Sequence, residues 1–205
     1  MRVSRQQAAA NRERVLESAA GLLRAHGLDG VSIADIMSAA GLTHGGFYFQ
    51  FASKKALVEE ACARGVRESV AAIHGSAAGP PGAVADGGDQ RADRPAPLRR
   101  VLDDYLSGHR RDVPQDGCTV AALSADAGRG SPELQDVFAT GITGMARALG
   151  QAAGAVPVDG DPAPPDYPLL AAIVGAMILS RAVRASDPAL SDRILSETRE
   201  RLAEG

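Results

Sequence analysis

The residues with most chemistry to offer lie together in GLTHGGFYFQFASKKAL, residues 41–57. Gly45 and Gly46 cost so short a helix about 1 kcal/mol each relative to alanine. That cost makes sense where the backbone must approach another surface closely. Phe47, Phe49 and Phe51 are three of the chain's four phenylalanines. Phe47 and Phe51, four residues apart, fit a buried face, and Tyr48 then points away and offers its hydroxyl to a phosphate. Lys54 and Lys55 fall at the first two positions of the next expected helix, where a cation opposes the helix dipole. An anion placed there reverses the penalty, because the helix N-terminus and both ammonium groups converge on it. DNA phosphate is the natural candidate. Taken singly, glycine pairs mark turns, aromatics pack and lysines are solvated; it is their concentration in one short segment that points to nucleic acid.

A second candidate is Cys118, which follows Asp116-Gly117 at the start of a helix expected over 118–127. Backbone N–H groups at a helix start favour a thiolate, whereas Asp116 opposes it. The alternative is a small buried hydrophobe packed against Val120 and Leu123. Cys62 falls beside the apolar stripe of its own helix and reads as core. Two cysteines make no disulfide framework and fit a reducing cytosol. His26, His74 and His109 stand apart from one another and from cysteine, so no metal-ligand spacing arises. His44 is the exception, because it lies within reach of DNA. There is neither a phosphate-binding glycine loop nor an assembled nucleophile–base pair; no enzyme activity, cofactor or metal is expected. Tyr105, Phe138 and Met145 are candidates for lining a ligand cavity, with plain core as the alternative.

The elements that must position these residues are all helical. Val15, Leu16, Ala19, Leu22 and Leu23 recur at helical spacing and predict a helix over about 5–26, ended by Gly27. Ser32 caps a short second helix with Asp35 three residues on, and Val31 and Ile36 hold the positions of a hydrophobic staple. Gly41 ends that helix, and Thr43 can cap a third of barely two turns. Two short helices joined by a tight glycine-containing turn make a helix-turn-helix, here over about 32–49. A fourth helix is expected from Ser53 to about Ile73. Further helices are expected over about 97–111, 118–127, 131–153, 166–185 and from 188 to the end. Residues 75–97 and 155–166 are rich in Gly, Pro, Ala and Asp without periodicity and read as loops. The fold class is therefore all-α with about nine helices. It divides into a helix-turn-helix domain over 1–52, a linking helix over 53–74, and a C-terminal ligand-sensing and dimerisation domain over 75–205.

The 205 residues carry a net charge of −3, which by itself argues against nucleic acid. The charge is uneven, however. Up to residue 58 there are seven basic groups (Arg2, Arg5, Arg12, Arg14, Arg24, Lys54, Lys55) against four acidic ones (Glu13, Glu17, Asp29, Asp35). A locally positive end suits salt-sensitive phosphate binding. The N-terminal MRVSRQQAAANRER has no apolar signal region, and the apolar stretch Leu169–Leu179 falls short of the roughly 20 residues of a membrane span. A cytoplasmic protein is expected.

Residues 12–58, through VSIADIMSAAGLTHGGFYFQFASKKAL, resemble the N-terminal domain of the tetracycline-repressor (TetR) family in the type and order of their elements. The resemblance implies that the third helix enters the major groove. Thr43, His44 and Gly45 would lie near bases and backbone, Tyr48 and Lys54 on phosphates, with Ser32 and Lys55 among the same contacts. Two positions depart from the family pattern: Gln50 stands where histidine is common, and Lys55 where an acidic residue is common, which should strengthen the salt dependence. The family is typically homodimeric, cytoplasmic and released from DNA by a ligand, and a branch of it uses a cysteine at the place of Cys118 to sense electrophiles or oxidants.

Two apolar stripes near the C-terminus suit a subunit interface. One comprises Leu169, Leu170, Ile173, Val174, Met177 and Ile178; the other comprises Leu190, Ile194, Leu195 and Leu202. Monomer core is the alternative for both. A two-fold dimer would present two recognition helices to half-sites roughly 34–36 Å apart on a near-palindromic operator. The expected protein is thus a DNA-binding repressor with an unidentified small-molecule or electrophile effector. The rival reading is a helical protein–protein interaction module that does not recognise specific DNA.

Overall fold

The computed structural model describes residues 5–79, 95–157 and 161–204. Among these residues there are nine α-helices: α1 (Arg5–His26), α2 (Ile33–Ala39), α3 (Lys54–Ala78), α4 (Ala96–Tyr105), α5 (Gly108–Asp112), α6 (Thr119–Ala127), α7 (Pro132–Ala152), α8 (Tyr167–Val183) and α9 (Pro188–Glu204). Two 3-10 segments, His44–Phe49 and Pro114–Asp116, complete the helical structure. No helix among the described residues is long and apolar enough to cross a membrane.

The chain resolves into two compact units. The first comprises Met1–Arg67 and Pro114–Ala139, the second Glu68–Val113 and Thr140–Gly205. The division falls inside α3 and inside α7. Residues 114–139 therefore belong with the N-terminal helices, a grouping that a cut at residue 74 does not reproduce.

In the first unit α1 buries Val15, Leu16, Ala19 and Leu23, and Ile36 and Met37 of α2 and Leu57 and Ala61 of α3 are buried as well. Arg24, late in α1, donates to the Gln115 carbonyl at 2.6 Å and to the Thr119 hydroxyl at 3.3 Å, tying α1 to the start of α6. At the other end of α6, the Asp126 carboxylate accepts from the Leu28 N–H at 3.3 Å, in the turn between α1 and α2. Gly65 of α3 lies so close to α6 that a β-carbon there would collide with the Thr119 hydroxyl, which is itself buried. Gly65→Ala is expected to destabilise the protein by about 1–3 kcal/mol, because overpacking a well-filled contact forces its neighbours aside. Gly45→Ala, where a β-carbon meets nothing within 4 Å, should show no such loss in the same urea titration.

In the second unit α8 and α9 are clamped by a buried hydroxyl pair. Ser180 donates to the Ser191 carbonyl at 2.9 Å and Ser191 to the Ser180 carbonyl at 2.8 Å. Arg111 of α5 donates to the Ser191 hydroxyl at 2.9 Å and pairs with Asp192 at 2.5 Å. Arg181 reaches back to the Arg110 carbonyl at 2.7 Å. The three helices are thus held by polar contacts as well as by Leu169, Ile173, Met177 and Leu195, all buried.

Several boundaries differ from the sequence expectation. The helix expected over 97–111 is broken at Leu106, because the Ser107 side chain accepts from the Arg110 N–H at 3.2 Å and starts α5 afresh. The helix expected to end near Ile73 runs on to Ala78, where the Arg100 guanidinium donates to the Ala77 carbonyl at 2.5 Å and satisfies that helix end. Residues 75–78, read as loop, are therefore helical, as is Ala96; residues 80–94 of that loop lie outside the described residues, as do 158–160 of the second loop.

Candidate nucleic-acid interface

The helix-turn-helix is built by local signals. Gly27 and Gly41 end α1 and α2 at φ of 79° and 67°, a left-handed conformation that favours glycine. Ser32 forms the full capping box with Asp35: its hydroxyl accepts from the Asp35 N–H at 3.1 Å, and the Asp35 carboxylate accepts from the Ser32 N–H at 2.9 Å. The same carboxylate accepts the Ser32 hydroxyl proton at 2.6 Å. These hydrogen bonds from Ser32 hold the Asp35 carboxyl below its usual range. They also occupy the one proton that Ser32 would give to a phosphate. Val31 and Ile36 are both buried, as the staple requires.

The segment after the turn, His44–Phe49, is a 3-10 helix rather than an α-helix. Its bonds run three residues back, from the Gly46 N–H to the Thr43 carbonyl at 3.0 Å and from the Gln50 N–H to the Phe47 carbonyl at 2.9 Å. Adjacent glycines remove the propensity that would carry so short a run through a full α turn. Thr43 occupies the cap position, but its side chain makes no capping hydrogen bond, which corrects the expected role. Gln50, at the far end, has a buried Oε1 with no hydrogen-bond partner among the described residues.

Burial sorts the aromatics by face. Phe47 is fully buried and Phe51 nearly so, their rings stacked 5.8 Å apart. The Arg12 guanidinium lies 4.7 Å from the centre of the Phe51 ring and pairs with Glu60. Tyr48 is 68% exposed and Phe49 93% exposed. The Tyr48 ring meets Phe47 edge-on at 5.1 Å and His44 edge-on at 6.3 Å, so its body is steadied while its hydroxyl faces outward. Thr43, His44 and Gly45 are exposed alongside it. The result is an exposed edge of small, aromatic and hydrogen-bonding groups over a buried aromatic base.

Lys54 and Lys55 stand at the first two positions of α3, where Ser53 caps by accepting from the Ala56 N–H at 3.1 Å. The first turn of α3 holds no acidic residue. Lys54 is half-buried and Lys55 exposed. Lys55 does not stand alone: its ammonium lies 3.2 Å from Glu133 and 3.4 Å from Glu59. Glu133 first, and then Glu59, raises the Lys55 pKa above its ordinary value.

The residues considered for sensing divide between the two units. Cys118 and Phe138 belong to the first, Tyr105 and Met145 to the second. Phe138 and Met145 are buried and Tyr105 is half-buried. Cys118 is half-buried at the N-cap of α6, its sulfur accepting from the Ala121 N–H at 3.5 Å. Cys62 is buried, and burial pushes its thiol up to about 12.

The apolar stripes near the C-terminus also divide. Leu169, Leu170, Ile173, Met177 and Leu195 are core of a single chain. Val174, Leu190, Ile194 and Leu202 are partly exposed, and Ile178 is 43% exposed. At roughly 100° per residue, the buried positions of α8 occupy one side. Tyr167, Ala171, Val174, Gly175, Ile178 and Ala182 occupy the other, with Leu179 at its margin. That second side is largely apolar, and among the described residues much of it is open: the Tyr167 hydroxyl lies 3.5 Å from the Thr143 hydroxyl, but Leu179 is 60% exposed, and a β-carbon at Gly175 would meet nothing within 4 Å. Phe49, Ala171, Gly175, Leu179 and Ala182 were not candidates on sequence reading. The available signal was the excess of apolar residues around the whole circumference of α8, more than one buried face needs.

Residues 15–61 match the family model for bacterial regulatory proteins of the tetR family. No curated protein sequence matches the chain. Several solved structures share its fold. One, described as Escherichia coli NemR in its reduced form, is 20% identical over 94% of this chain and 95% of its own, with a TM-score of 0.66. Another, described as a TetR transcriptional regulator from Chloroflexus aurantiacus, is 23% identical over 97% and 94%, with a TM-score of 0.66. A TetR-family regulator from Cytophaga hutchinsonii is 19% identical over 98% and 96%, with a TM-score of 0.64.

Proposed function

We propose that this chain, whose residues 15–61 match the tetR-family model and whose fold is that of the similar structures, is a cytoplasmic repressor of that family. As a homodimer it binds double-stranded, near-palindromic operator DNA, and an effector releases it. The observation that carries this reading is the exposed edge of His44, Gly45, Tyr48 and Phe49 beside the cationic start of α3. Thr43, His44 and Gly45 meet base edges and backbone in the major groove. The Tyr48 hydroxyl and the Lys54 ammonium take phosphates, and Phe49 supplies apolar contact of the kind a thymine methyl accepts. Ser32 contributes by fixing α2 through its cap. The outer side of α8, continued by Leu190, Ile194 and Leu202 of α9, meets the same side of a second copy. A two-fold contact of that kind lets one apolar face satisfy itself.

Release follows if the effector binds the DNA-competent and DNA-incompetent states with different affinity. Two routes are open to this chain, a small molecule held by the second unit near Tyr105 and Met145, or covalent change at Cys118. The similar structure described as a reduced form directs attention to thiols, and the first unit offers a path for the second route. An adduct on the Cys118 sulfur adds bulk at the acceptor of the Ala121 N–H and disturbs the start of α6. The neighbouring Thr119 takes a hydrogen bond from Arg24 of α1, and the far end of α6 holds the turn before α2 through Asp126. Addition of the thiol to an activated alkene forms a carbon–sulfur bond and places the thiol proton on the electrophile.

Gel shift of the full chain on the intergenic DNA upstream of its own gene, at low salt, tests the reading as a whole; a folded protein that retards no duplex would sink it. For the thiol route, N-ethylmaleimide is expected to label Cys118 and leave Cys62 unlabelled in the folded protein. Cys118→Ser should then make DNA binding insensitive to the reagent. Release that persists in Cys118→Ser removes this thiol from the mechanism.

A further inference from the structure

The start of α3 carries an internal competitor for the phosphate it is placed to bind. Glu133, in the first turn of α7, holds the Lys55 ammonium at 3.2 Å although 78 positions separate the two residues. Glu59, one turn along α3, approaches the same ammonium at 3.4 Å. Glu59 is in turn fixed by the Ser131 hydroxyl, which donates to it at 3.0 Å. Ser131 also accepts from the Leu134 N–H at 3.4 Å as the cap of α7. One helix start therefore presents a carboxylate and a hydroxyl to the other, and two carboxylates converge on a single cation. A bond from its own backbone N–H, and then the Lys55 ammonium, hold the Glu133 carboxyl below its usual range.

We propose that Glu133, supported by Glu59, stands in for DNA phosphate at Lys55 and thereby tempers the affinity and salt sensitivity of DNA binding. The inference rests on the DNA-binding reading above and adds a control to the same site. A lysine that leaves a carboxylate for a phosphate gains little. The carboxylate it abandons takes up a cation, so the counterion released from DNA is not a net release. Lys55 thus contributes less to the salt slope than its charge suggests. Any shift of the first turn of α7 away from α3 would release the ammonium to DNA. The pair belongs wholly to the first unit.

Fluorescence anisotropy with a labelled random-sequence duplex, from about 25 to 200 mM NaCl, tests this with the full chain. The counterion effect is independent of sequence, so the operator need not be known. Glu133→Gln and Glu133→Ala should each bind about three- to tenfold more tightly at the lowest salt. Their log–log salt slopes should steepen by roughly one per protomer. In a Lys55→Ala background the same substitutions should change affinity less than about twofold. Equal binding by wild type and both Glu133 variants overturns the proposal. So does an increase that survives in the Lys55→Ala background, because the carboxylate would then act on DNA directly. If the folded wild type binds no duplex at the lowest salt, the DNA-binding reading falls and takes this proposal with it. Wild-type binding that the Glu133 variants leave unchanged removes the competitor alone.

Discussion

Replacing Tyr48 and Lys54 together by alanine is expected to weaken operator binding at least about 100-fold while the dimer and the fold persist. Tyr48 is 68% exposed, so its hydroxyl contributes little to the folded chain and is available to a ligand. Lys54 brings a full charge to the first position of α3, at a helix end that gathers anions. A hydrogen bond to a charged group contributes about 1.5–3 kcal/mol, and a two-fold dimer loses each contact twice. Partial compensation by neighbouring groups still leaves a fall of two orders of magnitude. Lys55→Ala should cost much less, since Glu133 and Glu59 already engage that ammonium. Anisotropy titrations at fixed salt measure the affinity, and sedimentation with circular dichroism reports assembly and fold. Binding within threefold of wild type would remove these residues from the interface; loss of the dimer would show them to be structural.

Introducing aspartate at both Ile178 and Leu179 is expected to convert the proposed dimer to monomers that remain folded. Operator affinity should drop by about 10²–10⁴, the advantage gained when two linked modules bind together. Both side chains are exposed in the single chain, at 43% and 60%, so their replacement disturbs no core. The contrast lies on the same helix: Ile173 is fully buried, and Ile173→Asp places an unpaired charge in apolar surroundings. That variant should fail to fold at all. Analytical ultracentrifugation at micromolar concentration separates the two cases. A folded double aspartate variant that remains dimeric would place the subunit contact elsewhere.

The helix-turn-helix was the most legible part of this chain because every signal that makes it is local. Ser32 and Asp35 are three residues apart, Val31 and Ile36 five, and Gly27 and Gly41 end helices by their own conformational freedom. The opposite facing of Phe47 and Tyr48 was legible for the same reason. The 3-10 form of His44–Phe49 was less so. The pattern showed a short helix weakened by two glycines, but not which hydrogen-bond ladder it would adopt.

The sequence by itself determined an all-helical chain, the place of the helix-turn-helix and the aromatic and cationic groups it presents. Tertiary structure decided everything that depends on a distant partner. Residues 114–139 pack with the N-terminal helices because Arg24 and Leu28 find their partners at Gln115, Thr119 and Asp126. Periodicity marked α8 as apolar, yet a helix apolar on all sides has no polar face to show which side is core. Only packing assigned Ile173 and Met177 inward and left Ile178 and Leu179 outward. Lys54 and Lys55, adjacent in the chain and alike in charge, both read as phosphate contacts on the sequence. The fold distinguished them by bringing Glu133 to one and not the other, since an ion pair is set by proximity in space.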